Sequence, residues 1–263
     1  MTPRDALSWS RSALDALRGA RVRVGTMVLE VPGTRVERLS VVAGNRRIHR
    51  LFDRWVRPGD TVVDVGANIG WNAVRAARLA GPEGRVVAVE PTPDTLAVLR
   101  RNVAACGLGT IEVAPAAAGR AAGTAELFVR GGVSAGNSLY PESRYARVTR
   151  VVEVPVVPLD ALVEGVAGLV KIDVEGAELE VLAGMERLLA APGLVLIVEW
   201  DPTLQEMAGF APDALPRGLL ARGWRLQAAS HWSVRELAAG EVAGRAARLA
   251  RRRGLVELVA RRG

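Results

Sequence analysis

The sequence predicts an α/β fold: a doubly wound, mostly parallel sheet preceded by a small helix-and-hairpin extension. Three observations predict it. From Thr61 onward, short runs of Val, Ile and Leu alternate with segments of helical periodicity. The runs lack apolar–polar alternation, so they read as strands covered on both faces. A glycine-bearing turn, "GANIG" (66–70), joins the first such strand directly to a helix.

Residues 1–20 read as an amphipathic helix with Leu7, Leu14 and Leu17 on one face. "RVRVGTMVLEVPG" (21–33) and "RVERLSVVAG" (35–44) read as a β-hairpin or two short strands. "NRRIHRLFDRWV" (45–56) reads as a helix stopped by "RPGD". These segments set 1–55 apart as an extension and leave 56–263 as the main domain. Its strands are expected at 61–65, 85–90, 110–115, 168–173 and 193–199, and its helices at 71–80, 94–106, 176–190 and about 212–222. Two further strands, 223–230 and 255–260, are joined by a basic stretch holding one helix. The region 119–158 is less regular. "TAELFVR" and "VEVPVVPLD" read there as edge strands around the loop "GGVSAGNSLYPES".

Composition narrows the function. The chain has 263 residues, 49% hydrophobic and 24% charged, ordinary for a globular fold. No apolar run approaches a membrane span. The start, "MTPRDALSWSRSALDALRGA", holds no continuous apolar h-region, so no secretory signal is expected. Cys106 is the only cysteine, which rules out an intrachain disulfide and a cysteine metal cluster, and a cytoplasmic setting is expected. The net charge is +7, and "GRAARLARRRGLVELVARRG" carries much of it. That fits a solvated helix face, or an anionic partner such as a nucleotide- or carrier-linked substrate. Aromatics are 4% of residues and do not interleave with the basic ones, so neither nucleic acid nor a membrane is expected as a partner. A small-molecule acceptor is expected, and a homo-oligomer is compatible with the sequence.

The chemistry concentrates in two stretches. In "DVGANIGWN" a strand carries Asp64, a turn holds Gly66 and Gly70, and a helix N-terminus follows. Glu90 ends the next strand, where a carboxylate suits the two hydroxyls of a ribose. The spacing is not GxGxxG, because Asn68 and Trp71 stand where glycines are needed. The acid before the first glycine would repel a pyrophosphate. It suits a cationic ligand such as S-adenosylmethionine. The second stretch, "GLVKIDVEGAELEVL" (168–182), contains Lys171, the only lysine, followed by Asp173, Glu175, Glu178 and Glu180. Strand alternation puts Lys171 and Asp173 on one face, while Glu178 and Glu180 read as helix-start charges.

Taken together, "VDVGANIGWN", "VVAVEPTPDTLAVLRRNV", "VPVVPLDAL" and "VKIDVEGAELEVLAGME" resemble, in order and spacing, the blocks of FkbM-type S-adenosylmethionine-dependent methyltransferases, class I. The resemblance covers about residues 55–200. It implies a Rossmann-like sheet of seven strands in the order 3-2-1-4-5-7-6, with the seventh antiparallel. It also implies that Asp64, Gly66, Ala67, Asn68 and Gly70 surround the methionine part of the cofactor. Glu90, with Pro91 and Thr92, would take the ribose, and "VAPAAAG" would bring Ala117 to the adenine. Pro115 stands where the family often has a polar residue. Ser138, in "GNSLYP", would lie near cofactor or acceptor.

Methyl transfer to a hydroxyl needs a proton acceptor or a metal. Asp173, ending the fourth core strand, is the first choice; it is also placed at the cofactor. Glu199 and Asp201 end the neighbouring strand, and His231 follows the sixth. Asp173 with Glu199 or Asp201 offers oxygen ligands for Mg²⁺, although nothing in the sequence requires a metal. Glu175, Trp71, Trp200 and Trp232, with Ser138, are placed around the acceptor. The expected activity is methylation of a hydroxyl on a sugar or secondary metabolite. N- or carboxyl-methylation and a nicotinamide-dependent oxidoreductase are the alternatives, with a silent nucleoside-binding protein a third.

Overall fold

A computed structural model of the chain describes residues 12–13, 15–24, 27–130, 136–142, 147–229, 234–252 and 254–262. Within the expected N-terminal helix, residues 12–13 and 15–18 are helical; Leu7 and Leu14 fall outside the described residues. The hairpin forms from β1 (Arg21–Val24) and β2 (Met27–Glu30).

The stretch read as strand at 35–44 is instead the start of a long helix, α1 (Arg35–Trp55). A capping box overrides its β-branched residues. Glu37 N–H donates to Thr34 Oγ1 at 3.3 Å, and Thr34 N–H donates to Glu37 Oε2 at 2.6 Å. Val42, Ile48, Leu51 and Phe52 then bury one face of the helix in the core.

The main sheet comprises β3 (Thr61–Val65), β4 (Arg85–Val89), β5 (Ile111–Ala114), β9 (Leu169–Ile172), β10 (Val195–Trp200), β11 (Arg225–Ala229), β12 (Val234–Glu236) and β13 (Val256–Arg261). From one edge it runs β5-β4-β3-β9-β10-β13-β11-β12. The first seven reproduce the expected order, with β13 antiparallel to both neighbours. β12 is an eighth strand, three residues of exposed edge that the sequence reading did not separate from the basic stretch. α2 (Trp71–Ala80) and α3 (Pro93–Cys106) pack on one face with α1. The opposite face is covered by α4 (Leu159–Leu162), α5 (Glu178–Ala183), α6 (Glu186–Ala190), α8 (Ala214–Ala221) and α9 (Val242–Arg252), and α7 (Pro202–Met207) packs against α9.

Two further expectations are corrected. The segments of 119–158 do not edge the main sheet: β7 (Gly123–Arg130) and β8 (Val148–Val157) pair with each other, and β8 also pairs with β6 (Ala117–Ala118), in a separate three-stranded sheet. The helix expected at 176–190 is broken between α5 and α6 at Gly184. A Cβ there would lie 1.9 Å from the Gly119 carbonyl oxygen, so the backbones meet where a continuous helix could not pass. Asn102 ties the hairpin to the glycine turn. Its side chain accepts from Glu30 N–H at 2.7 Å and donates to the carbonyls of Glu30 and Ile69 at 2.9 and 2.8 Å.

Candidate active site

The parallel strands deliver their C-terminal ends to one rim, and a cleft of about 230 Å³ opens there. Two elements fix its floor. At Gly66, φ is 75°, and a Cβ would lie 1.9 Å from the Asp173 carbonyl oxygen. Only glycine fits between the turn and the end of β9. Asn68 and Glu175 are the non-glycine residues with positive φ among the described residues, at 52° and 56°, and both line the cleft.

One end of the cleft is formed by Glu90, Pro91, Thr92, Ala116, Ala117, Ala118 and residues of the 137–139 loop. Glu90 is buried, and each of its oxygens accepts a backbone N–H: Oε2 from Asn68 at 3.0 Å, Oε1 from Thr92 at 2.9 Å. Burial raises its pKa, opposed by these N–H groups. Each oxygen keeps a lone pair for a ligand hydroxyl. Asn137 extends this end, donating to Thr92 Oγ1 at 3.3 Å and accepting the N–H of Arg130 at 2.8 Å. In the loop "GNSLYP" the sequence points to Ser138 and not to its neighbour Asn137. Ser138 Oγ donates to the Glu175 carbonyl at 2.7 Å and so holds the strained turn.

The other end lies over β9, β10 and β13. It is lined by Lys171, Asp173, Val174, Glu175, Glu199 and Leu255; Val41 and Asn45 of α1 and Trp71 and Asn72 of α2 also line the cleft. Lys171 is buried, 3.4 Å from Asp64 and 3.2 Å from Asp173. The parallel register puts Lys171 directly beside Asp64. Burial alone would lower the lysine's pKa; the charges of Asp173, Asp64 and Glu257 outweigh it and raise it, so the ammonium stays charged. Glu199 and Glu257 stand directly opposite in the antiparallel β10–β13 pair. Arg47 of α1 answers Glu257 at 2.6 Å. Glu199 forms no ion pair among the described residues. Burial, then the charges of Asp173, Glu257, Glu175 and Glu178, push its carboxyl well above the ordinary range.

The structure thus brings Gly66, Ala67, Asn68, Glu90, Pro91, Thr92, Ala117, Trp71, Ser138, Asp173, Glu175 and Glu199 to one cleft. Other expected residues lie elsewhere. Asp64 is fully buried behind the lining and faces Lys171 instead of open space. Gly70 begins α2 at φ 88°, where a Cβ would strike Leu99. Trp200 is a core residue whose indole N–H donates to the Pro212 carbonyl at 2.9 Å. Asp201 caps α7 through the N–H groups of Thr203 and Leu204, which removes it from the carboxylate group. Glu178 is not a solvated helix-start charge: it is buried, accepting from Gly176 N–H at 3.0 Å and Gln205 Nε2 at 3.1 Å. His231 and Trp232 lie outside the described residues. One oxygen from each of Asp173, Glu175 and Glu199 lies within 4.8 Å of the others, a donor set of the kind Mg²⁺ uses.

The profile of the methyltransferase FkbM domain matches residues 64–225. An arsenite methyltransferase of Halobacterium salinarum is 43% identical over 47 residues, 18% of this chain and 12% of that protein. Hexuronic acid methyltransferase AglP of Haloferax volcanii is 30% identical over 164 residues, 61% of this chain and 64% of that protein. Both matches therefore span less than two thirds of the relative. The structure of the O-methyltransferase TomG of Streptomyces achromogenes, in complex with S-adenosylmethionine, aligns with 84% of this chain and 81% of its own, at 14% identity and a TM-score of 0.49.

Proposed function

The chain belongs to the FkbM methyltransferase family, and from that membership we propose that it methylates a hydroxyl of a sugar or secondary metabolite, with S-adenosylmethionine as donor. The observation that carries the reading is the pairing, in one cleft, of a backbone-held Glu90 with the carboxylates Asp173 and Glu199.

The donor set fits the cofactor. Among the described lining residues, four carboxylates (Glu90, Asp173, Glu175, Glu199) face one lysine, an excess that favours a cationic ligand. Bound there, S-adenosylmethionine supplies an electrophilic methyl carbon on a cationic sulfur that leaves as a neutral thioether. Glu90 has the position and the lone pairs to hold a ribose diol. Transfer of that methyl group to the acceptor oxygen would require the hydroxyl to give up its proton. The hydroxyl proton passes to a carboxylate. Asp173 already answers Lys171, whereas Glu199 has no such partner and a raised pKa, so Glu199 is the stronger base. Asp173, set by Lys171 and the Gly66 contact, orients the acceptor.

Glu199→Gln is expected to lower kcat about 100-fold or more while S-adenosylhomocysteine binds within a few-fold of wild type. Unchanged turnover in Glu199→Gln would remove it from the reaction. A metal held by Asp173, Glu175 and Glu199 predicts that EDTA abolishes turnover and Mg²⁺ restores it. Turnover unaffected by EDTA leaves proton removal to the carboxylates alone.

A further inference from the structure

Arg130 ends β7 and is only 2% exposed. Its guanidinium donates to four main-chain carbonyls. Nη1 reaches Phe128 at 3.2 Å and Gly136 at 2.7 Å; Nη2 reaches Tyr140 at 3.1 Å and Pro141 at 2.8 Å. Gly136 precedes Asn137 and Ser138 in the chain, and Tyr140 and Pro141 follow them. One planar side chain therefore clamps both ends of the loop that carries those two residues. The Arg130 backbone adds a fifth bond, its N–H donating to Asn137 Oδ1 at 2.8 Å. A lysine ammonium, a point charge with three donors, could not span these acceptors. The strand is irregular where the clamp begins. Val129 pairs with Arg150 but Arg130 pairs with Val148, so Thr149 is an extra residue in β8. Such bulges redirect a side chain and are common beside functional sites.

The clamped loop reaches both ends of the cleft. Asn137 donates to Thr92 Oγ1 at 3.3 Å, and the Thr92 N–H is one of the two that fix Glu90. Ser138 Oγ donates to the Glu175 carbonyl at 2.7 Å, and Glu175 holds a positive φ of 56° in the turn that carries its carboxylate into the cleft. Ser138 is in turn tied to β7: Phe128 N–H donates to the Ser138 carbonyl at 2.8 Å, and Ser138 N–H donates back at 3.4 Å. Arg130 itself does not line the cleft. Its effect on either end passes through the loop.

We infer that Arg130 is a positioning residue for methyl transfer: it locks the loop over residues 136–141 so that Asn137 sets the Glu90 turn and Ser138 sets the Glu175 turn. The inference rests on the methyltransferase reading above and adds to it the side chain that holds the two ends of the site in register.

The test compares the full chain with Arg130→Lys, Asn137→Ala and the double variant. Calorimetry reads the affinity for S-adenosylhomocysteine, and amide hydrogen exchange reads the loop and the core. Arg130→Lys keeps the charge and loses the fork. It is expected to weaken S-adenosylhomocysteine about tenfold. Exchange should rise at least about tenfold at the amides of Phe128, Ser138 and Gly176, while those of β3 and β9 keep their protection. Asn137→Ala should weaken binding by a similar factor. The double variant should lie within about twofold of the weaker single, because both changes cut one link. A double variant weakened about 100-fold, the product of the singles, shows two separate contributions and overturns the inference. So does Arg130→Lys with wild-type affinity, or with unchanged exchange at any of the three amides. Arg130→Lys that fails to fold, or loses protection across β3 and β9 as well, makes Arg130 a prop of the whole fold, and the assignment falls. Failure of wild-type protein to bind S-adenosylhomocysteine would instead sink the methyltransferase reading itself.

Discussion

Glu90 and Glu199 line the same cleft, yet their surroundings are opposite. Glu90 has each oxygen fixed by a backbone N–H. Glu199 faces Asp173, Glu175, Glu178 and Glu257 and forms no ion pair among the described residues. The Glu90 end is thus set by the main chain before any ligand arrives. The Glu199 end holds an unbalanced charge that a proton, a cationic ligand or a metal would relieve. The difference fits a division of labour: a rigid half that binds, and an electrostatically loaded half that accepts a proton.

The sharpest way to break this contrast is to remove the cation that keeps the loaded half folded. Lys171→Met leaves the buried Asp64 without its partner and strips the half-buried Asp173 of its own, an expected loss of about 3 kcal/mol. Urea denaturation reads it, and adding Asp64→Asn should recover part of the loss. Full stability in Lys171→Met would show that the pair is not what holds β3 to β9. A smaller effect is expected at the junction of the two halves. Gly66→Ala combines a φ of 75° with a clash on the Asp173 carbonyl and should cost about 2–4 kcal/mol.

The mildest test concerns the α1 wall. His49 is buried against Trp71, ring centroids 6.2 Å apart, and burial with the charge of Arg75 lowers its pKa from 6.5 to about 3. A folded-state pKa below the unfolded value means that the unfolded chain takes up the proton first. The contribution is present above about pH 6.5 and is lost as pH falls toward 3. His49→Gln should flatten the stability curve across that window. An unchanged slope would place the acid sensitivity elsewhere.

The rigid half was legible in the sequence because its constraints are written into the residues. Gly66 permits the close backbone approach, continuous valine runs mark strands buried on both faces, and Glu90 ends a strand. The loaded half was only partly legible. Lys171 and Asp173 share a face by alternation, but Asp64 meets them only through the β3–β9 register, which no local pattern encodes. Glu178 sits at helix-start spacing and reads as solvated until α7 packs Gln205 against it. Over its first ten residues α1 reads as strand, because the signal of its valines outweighs that of the Thr34–Glu37 capping box, which the sequence also carries. Asn45 and Asn72 become cleft residues only once that helix is in place.

The most direct measurement is a calorimetric titration of wild type and Glu90→Ala with S-adenosylhomocysteine and NADH. Removing the carboxylate strips the N–H groups of Asn68 and Thr92 of their acceptor and deprives the ribose of its anchor. The account predicts that wild type binds S-adenosylhomocysteine and not NADH, and that Glu90→Ala weakens that binding about 30–100-fold, roughly 2–3 kcal/mol. Binding of NADH alone, or equal affinity of the two proteins for S-adenosylhomocysteine, would contradict it.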